Sequence, residues 1–176
     1  MKKISVLLMA LLFVMACSKD DSGGLGGVPS GEIVPVAERE YVLTGVDSST
    51  ANKTTQAKSN ADVEGRAWTL LVRKAWTSGN CSAFLDPDEI AELNMEDFTT
   101  AYFKFLPNGD VMTANSIGGT YYNNGSWSWV NPATKDEIEV QYETYTITAL
   151  NDSQFIIGHN VSEGGCSLTT YQSLSR

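Results

Sequence analysis

The chain has 176 residues, which is enough for one domain and a tail but short for two domains of ordinary size. Apolar residues make up 42% of the chain and charged residues 19%, a composition that excludes disorder throughout. The formal net charge of −9 argues against binding to nucleic acid and against electrostatic docking on anionic lipid.

Residues 1–16 have the pattern of an export signal. Two lysines precede a mostly apolar run of 13 residues, too few for a transmembrane helix, which needs about 20. The run ends in Val14-Met15-Ala16-Cys17, which resembles the lipobox of bacterial lipoproteins. This resemblance implies cleavage before Cys17 and attachment of lipid to that cysteine, which would anchor the chain to a membrane. The alternative is an ordinary cleaved signal followed by an incidental cysteine.

The next four residues, Ser18-Lys19-Asp20-Asp21, bear on which face of the membrane the protein occupies. They are similar to the export signals of surface lipoproteins in Bacteroidetes-type bacteria, and this similarity implies an outward-facing protein. The alternative is that they are solvated charges at the start of a linker. We therefore expect an outer membrane lipoprotein, at the cell surface or on the periplasmic face.

Residues 17–64 are expected to form a lipidated, flexible tether. Residues 22–31 are half glycine and residues 47–60 are nearly all small or polar, so neither stretch can bury a core. Between them, residues 32–36 and 41–43 can pair as a short strand, which Pro35 would confine to a sheet edge. As a flexible coil, residues 18–64 would reach roughly 38 Å.

Residues 65–176 form the predicted core domain. Apolar and polar residues alternate along much of it, as in half-buried strands, and turn residues separate the runs. This pattern predicts eight strands, at about residues 66–76, 98–106, 110–116, 119–130, 136–142, 144–150, 153–160 and 166–174. Short consecutive links make a meander, and a meander of eight strands commonly closes on itself. We therefore predict an all-β fold, an eight-stranded antiparallel up-and-down barrel with one short helix.

The short helix is predicted over residues 86–93, between the first two strands. Asp86 is placed to cap it, Pro87 to occupy its first turn, and Glu89 to reach back to the cap. The acids in and after this segment lack the spacing of an EF-hand calcium loop, so we expect a solvated face and no metal. These acids are Asp86, Asp88, Glu89, Glu92, Glu96 and Asp97.

Cys81 and Cys166 are predicted to form a disulfide, because a cysteine pair outside the cytoplasm is most simply bonded. Cys81 follows the first strand and Cys166 begins the last, and closure of the barrel brings these two points to the same rim. Two free thiols are the alternative. A metal site on the pair is disfavoured, since the chain has one histidine and no Cys-x-x-Cys.

Three motifs resemble the lipocalin-like domains carried by many Bacteroidetes lipoproteins, over about residues 64–176. They are Gly65-Arg66-Ala67-Trp68-Thr69-Leu70, the hairpin at residues 103–111, and Gly125-Ser126-Trp127-Ser128-Trp129. The resemblance implies reversible binding of a small, mostly apolar molecule in the barrel mouth, without a cofactor. It also implies that Trp68 closes the barrel floor against a late basic residue, for which Arg176 is the candidate.

The candidate ligand-binding residues are the bulky side chains expected to point inward, which are Phe103, Phe105, Trp127, Trp129, Tyr142 and Tyr145. On the fifth predicted strand, Tyr142 falls in phase with the apolar positions, and Glu143 with those expected to face outward. Eight strands leave an interior that side chains can also fill completely. A filled barrel acting as a surface interaction or carbohydrate-binding module is therefore the alternative function.

Catalysis is not expected. His159 is the only histidine, and no nucleophile motif or phosphate-binding loop accompanies it. The sequence does not identify the ligand or any protein partner.

Overall fold

The computed structural model describes residues 25–47, 65–83, 85–93, 96–97 and 101–176. The export signal, Cys17, residues 48–64 and the start of the second predicted strand lie outside the described residues. So do the side chains of Glu92, Glu96 and Asp97 from the acidic segment. No helix in the described ranges is both long and apolar enough to cross a bilayer.

The described chain is mostly sheet, with two α-helices and one 3-10 helix. The elements in chain order are α1 (Val36–Thr44), β1 (Ala67–Gly79), the 3-10 helix (Cys81–Ala83), α2 (Pro87–Leu93), β2 (Glu96–Asp97), β3 (Ala101–Phe105), β4 (Asp110–Ala114), β5 (Tyr122–Trp129), β6 (Glu137–Val140), β7 (Glu143–Leu150), β8 (Gln154–Glu163) and β9 (Cys166–Ser175).

Eight of the strands close into the predicted antiparallel barrel. From β3 to β9 each strand pairs with the next, and β1 pairs with β3 on one side and β9 on the other. The closing ladder between β1 and β9 runs from the pair Thr69 and Ser175 to the pair Gly79 and Cys166. The two-residue strand β2 pairs beside β3 on the same edge of β1. The sequence prediction of an eight-stranded up-and-down barrel is therefore confirmed.

The predicted disulfide is also present, between Cys81 and Cys166. Their Cα atoms are 4.5 Å apart, a separation typical of bonded cysteines. Because Cys166 pairs with Gly79 in the closing ladder, the bond joins the first and last strands of the barrel at one rim. We call this end of the barrel the mouth end, and the opposite end, where β1 begins, the floor end.

Helix α2 begins with the predicted capping box. The backbone N–H of Glu89 donates to Asp86 Oδ1 at 2.8 Å, and the backbone N–H of Asp86 donates to Glu89 Oε2 at 3.0 Å. These two bonds satisfy backbone donors that the first turn of a helix leaves unpaired. The local sequence was therefore sufficient to place this helix.

Part of the predicted tether is packed against the barrel, so for residues 25–31 and 37–47 the expectation of a flexible coil is wrong. The pairing expected for residues 32–36 is found at Ile33, which forms a parallel bridge with Leu150. Residues 25–34, which we call the strap, cross the outer face of the barrel. The N–H groups of Gly31 and Val34 donate to the carbonyls of Thr148 and Leu150, at 3.0 and 2.9 Å. Leu150 N–H donates in return to Glu32 O at 3.0 Å. These bonds fix the strap along the end of β7.

The strap covers an apolar patch on the outside of the barrel. Val28 packs on a cluster formed by Ala149, Ile156, Tyr171, Val72 and Trp76. Gly158 lies beneath the strap, where a Cβ atom would come within 2.5 Å of Leu25. Composition did not reveal this contact, because a single valine in a glycine-rich stretch gives no periodic signal.

Residues 41–43, expected as part of an edge strand, lie instead in helix α1. The segment is rich in helix-forming residues, and Gly45 ends it in the left-handed conformation at φ 72°. Helix α1 covers the floor end, where Leu43 is completely buried with Trp68 and Phe155. Trp68 Nε1 donates to the Leu43 carbonyl at 2.8 Å. The floor is therefore a joint product of the helix and the first strand.

Two charged contacts hold the floor end together. Arg39 donates through Nη1 to the carbonyls of Thr134 and Lys135, at 2.6 and 3.0 Å. Arg66 makes the second contact. Its guanidinium lies over Trp68, 5.9 Å from the ring centre, and forms an ion pair with Asp152 at 3.0 Å. Arg66 therefore supplies a basic side chain beside Trp68.

Leu43→Ala should reduce the free energy of unfolding by about 3 kcal/mol, because it removes a fully buried side chain from the floor. Glu38→Ala, on the exposed side of the same helix, is the matched control and should change it by less than about 1 kcal/mol. Urea unfolding of both variants measures the difference. Equal stability of the two variants would show that the helix does not close the barrel.

The double variant Cys81→Ala/Cys166→Ala should unfold more easily than the wild type. The bond spans 85 residues of chain, and its loss should cost about 4.5 kcal/mol if its effect is mainly on the entropy of the unfolded state. Denaturant unfolding of the oxidised wild type, the reduced wild type and the double variant tests this. Unchanged stability on reduction would contradict a structural role for the bond.

Candidate ligand-binding cavity

The lumen of the barrel holds a cavity of about 210 Å³ that reaches the mouth end. This is about seven times the ~30 Å³ that a water molecule occupies in the liquid, and it is smaller than the pockets of most drug-sized ligands. The lining residues are Arg73, Phe103, Phe105, Val111, Asn124, Val140, Gln141, Glu143, Tyr145, Ile157, Gln172 and Leu174. The barrel is therefore neither hollow throughout nor completely filled.

The inner part of the cavity is apolar. Phe105, Val111, Ile157 and Leu174 are buried there and belong to the main core of the barrel. The ring of Phe105 meets that of Trp127 edge-on, with centroids 6.1 Å apart. The base of the cavity is therefore the upper surface of a packed aromatic core, and we call it the apolar base.

The rim of the cavity is polar, and a β-bulge places Arg73 there. Along β1, Trp68 and Leu70 face the interior, and strict alternation would continue with Val72. The register shifts between Leu70 and Val72, so Val72 lies on the outer face and Arg73 turns inward opposite Gln172 of β9. The bulge thus places a guanidinium at the cavity, where strict alternation would have placed a valine.

The turn between β6 and β7 brings a carboxylate to the cavity, contrary to expectation. Its two residues, Gln141 and Tyr142, have positive φ angles of 53° and 74°, as in the tight turns of two-residue hairpins. Val140 is consequently paired directly with Glu143, and directly paired residues face the same side of a sheet. Glu143 therefore lines the cavity, and the prediction that it faces outward is wrong.

The six predicted site residues do not all lie at the cavity. Phe103, Phe105 and Tyr145 line it, as expected for inward positions. Tyr142 is 82% exposed on the turn, so the prediction that it points inward is wrong.

The tryptophan pair packs in the core, and neither indole lines the cavity. Trp127 Nε1 donates to the Leu106 carbonyl at 2.8 Å, and the two indole rings meet edge-on at 5.4 Å. Lys135 Nζ lies 5.6 Å from the Trp129 ring centre. The pair therefore fills the interior next to the apolar base.

Tyr145 and Glu143 form a hydrogen-bonded pair at the wall of the cavity. The Tyr145 hydroxyl donates to Glu143 Oε2 at 2.5 Å. Burial raises the pKa of Tyr145 well above its ordinary value, and the bond to Glu143 raises it further, because the carboxylate accepts the phenolic proton and opposes a second negative charge. Tyr145 therefore stays neutral and donating at physiological pH.

His159 is engaged with the backbone beside the same tyrosine. Its Nδ1 is 2.6 Å from the Thr144 carbonyl oxygen, so that nitrogen carries the proton and donates. Its ring centre is 5.6 Å from that of Tyr145. Within the described ranges, no three His, Cys, Asp or Glu side chains are grouped closely enough to hold a metal ion.

A second, open groove of about 950 Å³ lies on the outside of the barrel, between the end of α1 and residues 117–121. Asp47 and Gly65 border it, and these residues flank residues 48–64, which the structure does not describe. We therefore take the lumen cavity as the candidate site.

Comparison with known proteins adds no assignment to this geometry. No family model matches the chain, and no curated protein matches it. The site is accordingly defined by the cavity and its lining alone.

Sequence reasoning missed Arg73, Gln172 and Asn124 as lining residues. One local signal for Arg73 exists, because Leu70, Leu71 and Val72 are three consecutive apolar residues within an otherwise alternating strand. Such a run marks where alternation breaks, but it does not say which of the following residues turns inward. That choice depends on the register with β9.

A pH titration should show a tyrosine that ionises only well above the ordinary pKa of tyrosine. This late ionisation step should be absent from Tyr145→Phe. A raised pKa in the folded state means that the unfolded chain ionises first, so stability should fall as the pH rises above about 10. Phenolate absorbance of wild type minus variant isolates Tyr145 from Tyr121, whose pKa is also raised by burial. A wild-type minus variant curve with its midpoint at about 10, the ordinary pKa of tyrosine, would contradict the Tyr145–Glu143 pair.

Proposed function

We propose that the chain is a lipid-anchored envelope lipoprotein whose barrel reversibly binds a small, mostly apolar molecule. The observation that carries this proposal is the cavity of about 210 Å³, which combines the apolar base with a polar rim at the mouth end. A lumen of this kind desolvates the apolar part of a ligand and leaves its polar group near water. An eight-stranded barrel is wide enough for one small ligand.

The proposal includes binding without chemical conversion of the ligand and without a cofactor. Among the described residues, Glu143 is the only carboxylate that lines the cavity, and it already accepts the Tyr145 hydroxyl. The protonated Nδ1 of His159 is committed to a backbone carbonyl. Neither group is paired with a described nucleophile, and such a pair is what covalent catalysis would need.

The likeness to lipocalin-like domains of Bacteroidetes lipoproteins is part of the same proposal. This likeness implies an up-and-down barrel with a cavity in its lumen, and the structure has that architecture. The tryptophan on the first strand, closing the floor beneath a guanidinium, supports it further.

The lipid anchor at Cys17 would hold the barrel close to the membrane. Because the strap already contacts the barrel at Leu25, only eight peptide units separate it from the anchor, and these span at most about 29 Å. We propose that the protein occupies the outer membrane, at the cell surface or on the periplasmic face. Loss of radiolabelled fatty acid in Cys17→Ala would support the anchor, and protease treatment of intact cells would distinguish the two faces.

Ligand binding is tested by blocking the cavity. Val140→Phe fills the edge of the apolar base and should weaken the binding of small apolar ligands at least tenfold. Val130→Phe makes the same substitution at an exposed position outside the cavity lining and should leave binding unchanged. Native mass spectrometry for co-purified molecules, followed by NMR titration with apolar probes, provides the measurement. A wild-type lumen that is always empty and binds no probe would contradict the proposal.

A second candidate function is a surface interaction or carbohydrate-binding module. It is favoured by two exposed tyrosines at the mouth end, Tyr122 at the start of β5 and Tyr142 on the β6–β7 turn. Aromatic rings with one wet face are typical of recognition surfaces. In this case Tyr142→Ala would abolish glycan or protein binding, whereas Val140→Phe would have no effect.

A further inference from the structure

Arg73 and Gln172 stand together at the cavity, and no described side chain forms a hydrogen bond or an ion pair with either of them. They are directly paired across β1 and β9, and both line the cavity. Neither side chain makes a hydrogen bond or an ion pair within the described part of the chain. A guanidinium offers five N–H donors in a planar fork, and an amide adds two more. The rim therefore presents a concentrated set of unused donors.

Among the described side chains that line the cavity, the one acidic group does not neutralise these donors. The side chain of Asp97, which is paired with Arg73 across β1 and β2, lies outside the described residues. Glu143 accepts the Tyr145 hydroxyl at 2.5 Å, and it forms no ion pair with Arg73. The positive charge of Arg73 still acts on this wall, since it partly opposes the increase in the pKa of Tyr145. A cation at the rim would meet Arg73, whereas an anion would find a fork of free donors.

The register of the strands sets the donors directly beside the apolar base. Gln172 is paired with Arg73 on one side and with Ile157 of β8 on the other. Leu174, two residues further along β9, faces the same interior. A ligand headgroup held at the rim would therefore leave its body lying over Ile157 and Leu174.

We propose that the ligand class is a small monocarboxylate, with its carboxylate held by Arg73 and Gln172 and its apolar body on the apolar base. The guanidinium fork matches the two oxygens of a carboxylate. A doubly charged phosphate is disfavoured, because one arginine faces its two charges and Glu143 repels it more strongly than it repels the single charge of a carboxylate. The inference rests on the proposed function of the cavity and specifies which headgroup the cavity selects.

Three probes with the same eight-carbon chain test the headgroup: octanoate, octan-1-ol and octylamine. They are titrated into the full chain carrying Cys17→Ser, so that no attached lipid competes, and dissociation constants are measured by NMR or calorimetry. Octanoate should bind at least about tenfold more tightly than octan-1-ol, the ratio expected for a charge-assisted hydrogen bond. Octylamine should bind most weakly of the three.

Substitutions then assign the selectivity to the rim. Arg73→Met removes the charge at similar length and should reduce octanoate affinity about tenfold or more, with octan-1-ol affinity within twofold of wild type. Gln172→Leu should weaken octanoate binding by a smaller factor. Lys74→Met removes the same charge from the next residue of β1, outside the cavity lining, and should change neither. Circular dichroism checks that each variant is folded. If Arg73→Met does not fold, the effect of Gln172→Leu on octanoate binding tests the rim by itself.

The possible results of these titrations distinguish failure of the carboxylate site from failure of the proposed function. Equal affinities for octanoate and octan-1-ol, unaffected by Arg73→Met or Gln172→Leu, would overturn the carboxylate site and leave the apolar cavity standing. Tightest binding of octylamine would overturn it in favour of a headgroup at Glu143. Failure of all three probes to bind would instead contradict the proposed function itself.

Discussion

The antiparallel ladder between β1 and β9 is the contact on which the rest of this structure depends. It joins the first and last strands in the sequence of the folded domain. Without it the eight strands would form an open sheet with two unpaired edges. Closure creates the lumen and brings Cys81 to Cys166. It also places Arg73 beside Gln172, so the chemistry of the cavity is a direct consequence of the pairing that closes the barrel.

Irregularities in the strands decide which side chains the lumen receives. The bulge after Leu70 moves Val72 and Trp76 to the outer face and turns Arg73 inward. A second register shift, between Ile147 and Ala149, sends Ala149 outward in the same way. In a strand with a period of two, a single extra residue exchanges the two faces from that point onward. The result is an apolar outer patch on the barrel, and the strap covers it.

The segment before the barrel contributes structure at both the wall and the floor. Val28 packs on the outer patch, and Leu43 fills the floor beneath Trp68. Burying these side chains compensates for the entropy lost when a glycine-rich stretch becomes ordered. If Cys17 carries lipid, this packing also limits the distance between the membrane and the barrel.

The sequence by itself determined the number and order of the barrel strands, the capped helix α2 and the disulfide. Each of these follows from local information: alternation, turn residues, the pattern of Asp86 and Glu89, and the positions of two cysteines relative to an up-and-down topology. Only the tertiary structure decided which faces of β1 and β7 line the cavity, and that residues 25–47 pack on the barrel. The register of a bulged strand depends on its partner, and the docking of a weakly apolar segment depends on a surface assembled from distant strands.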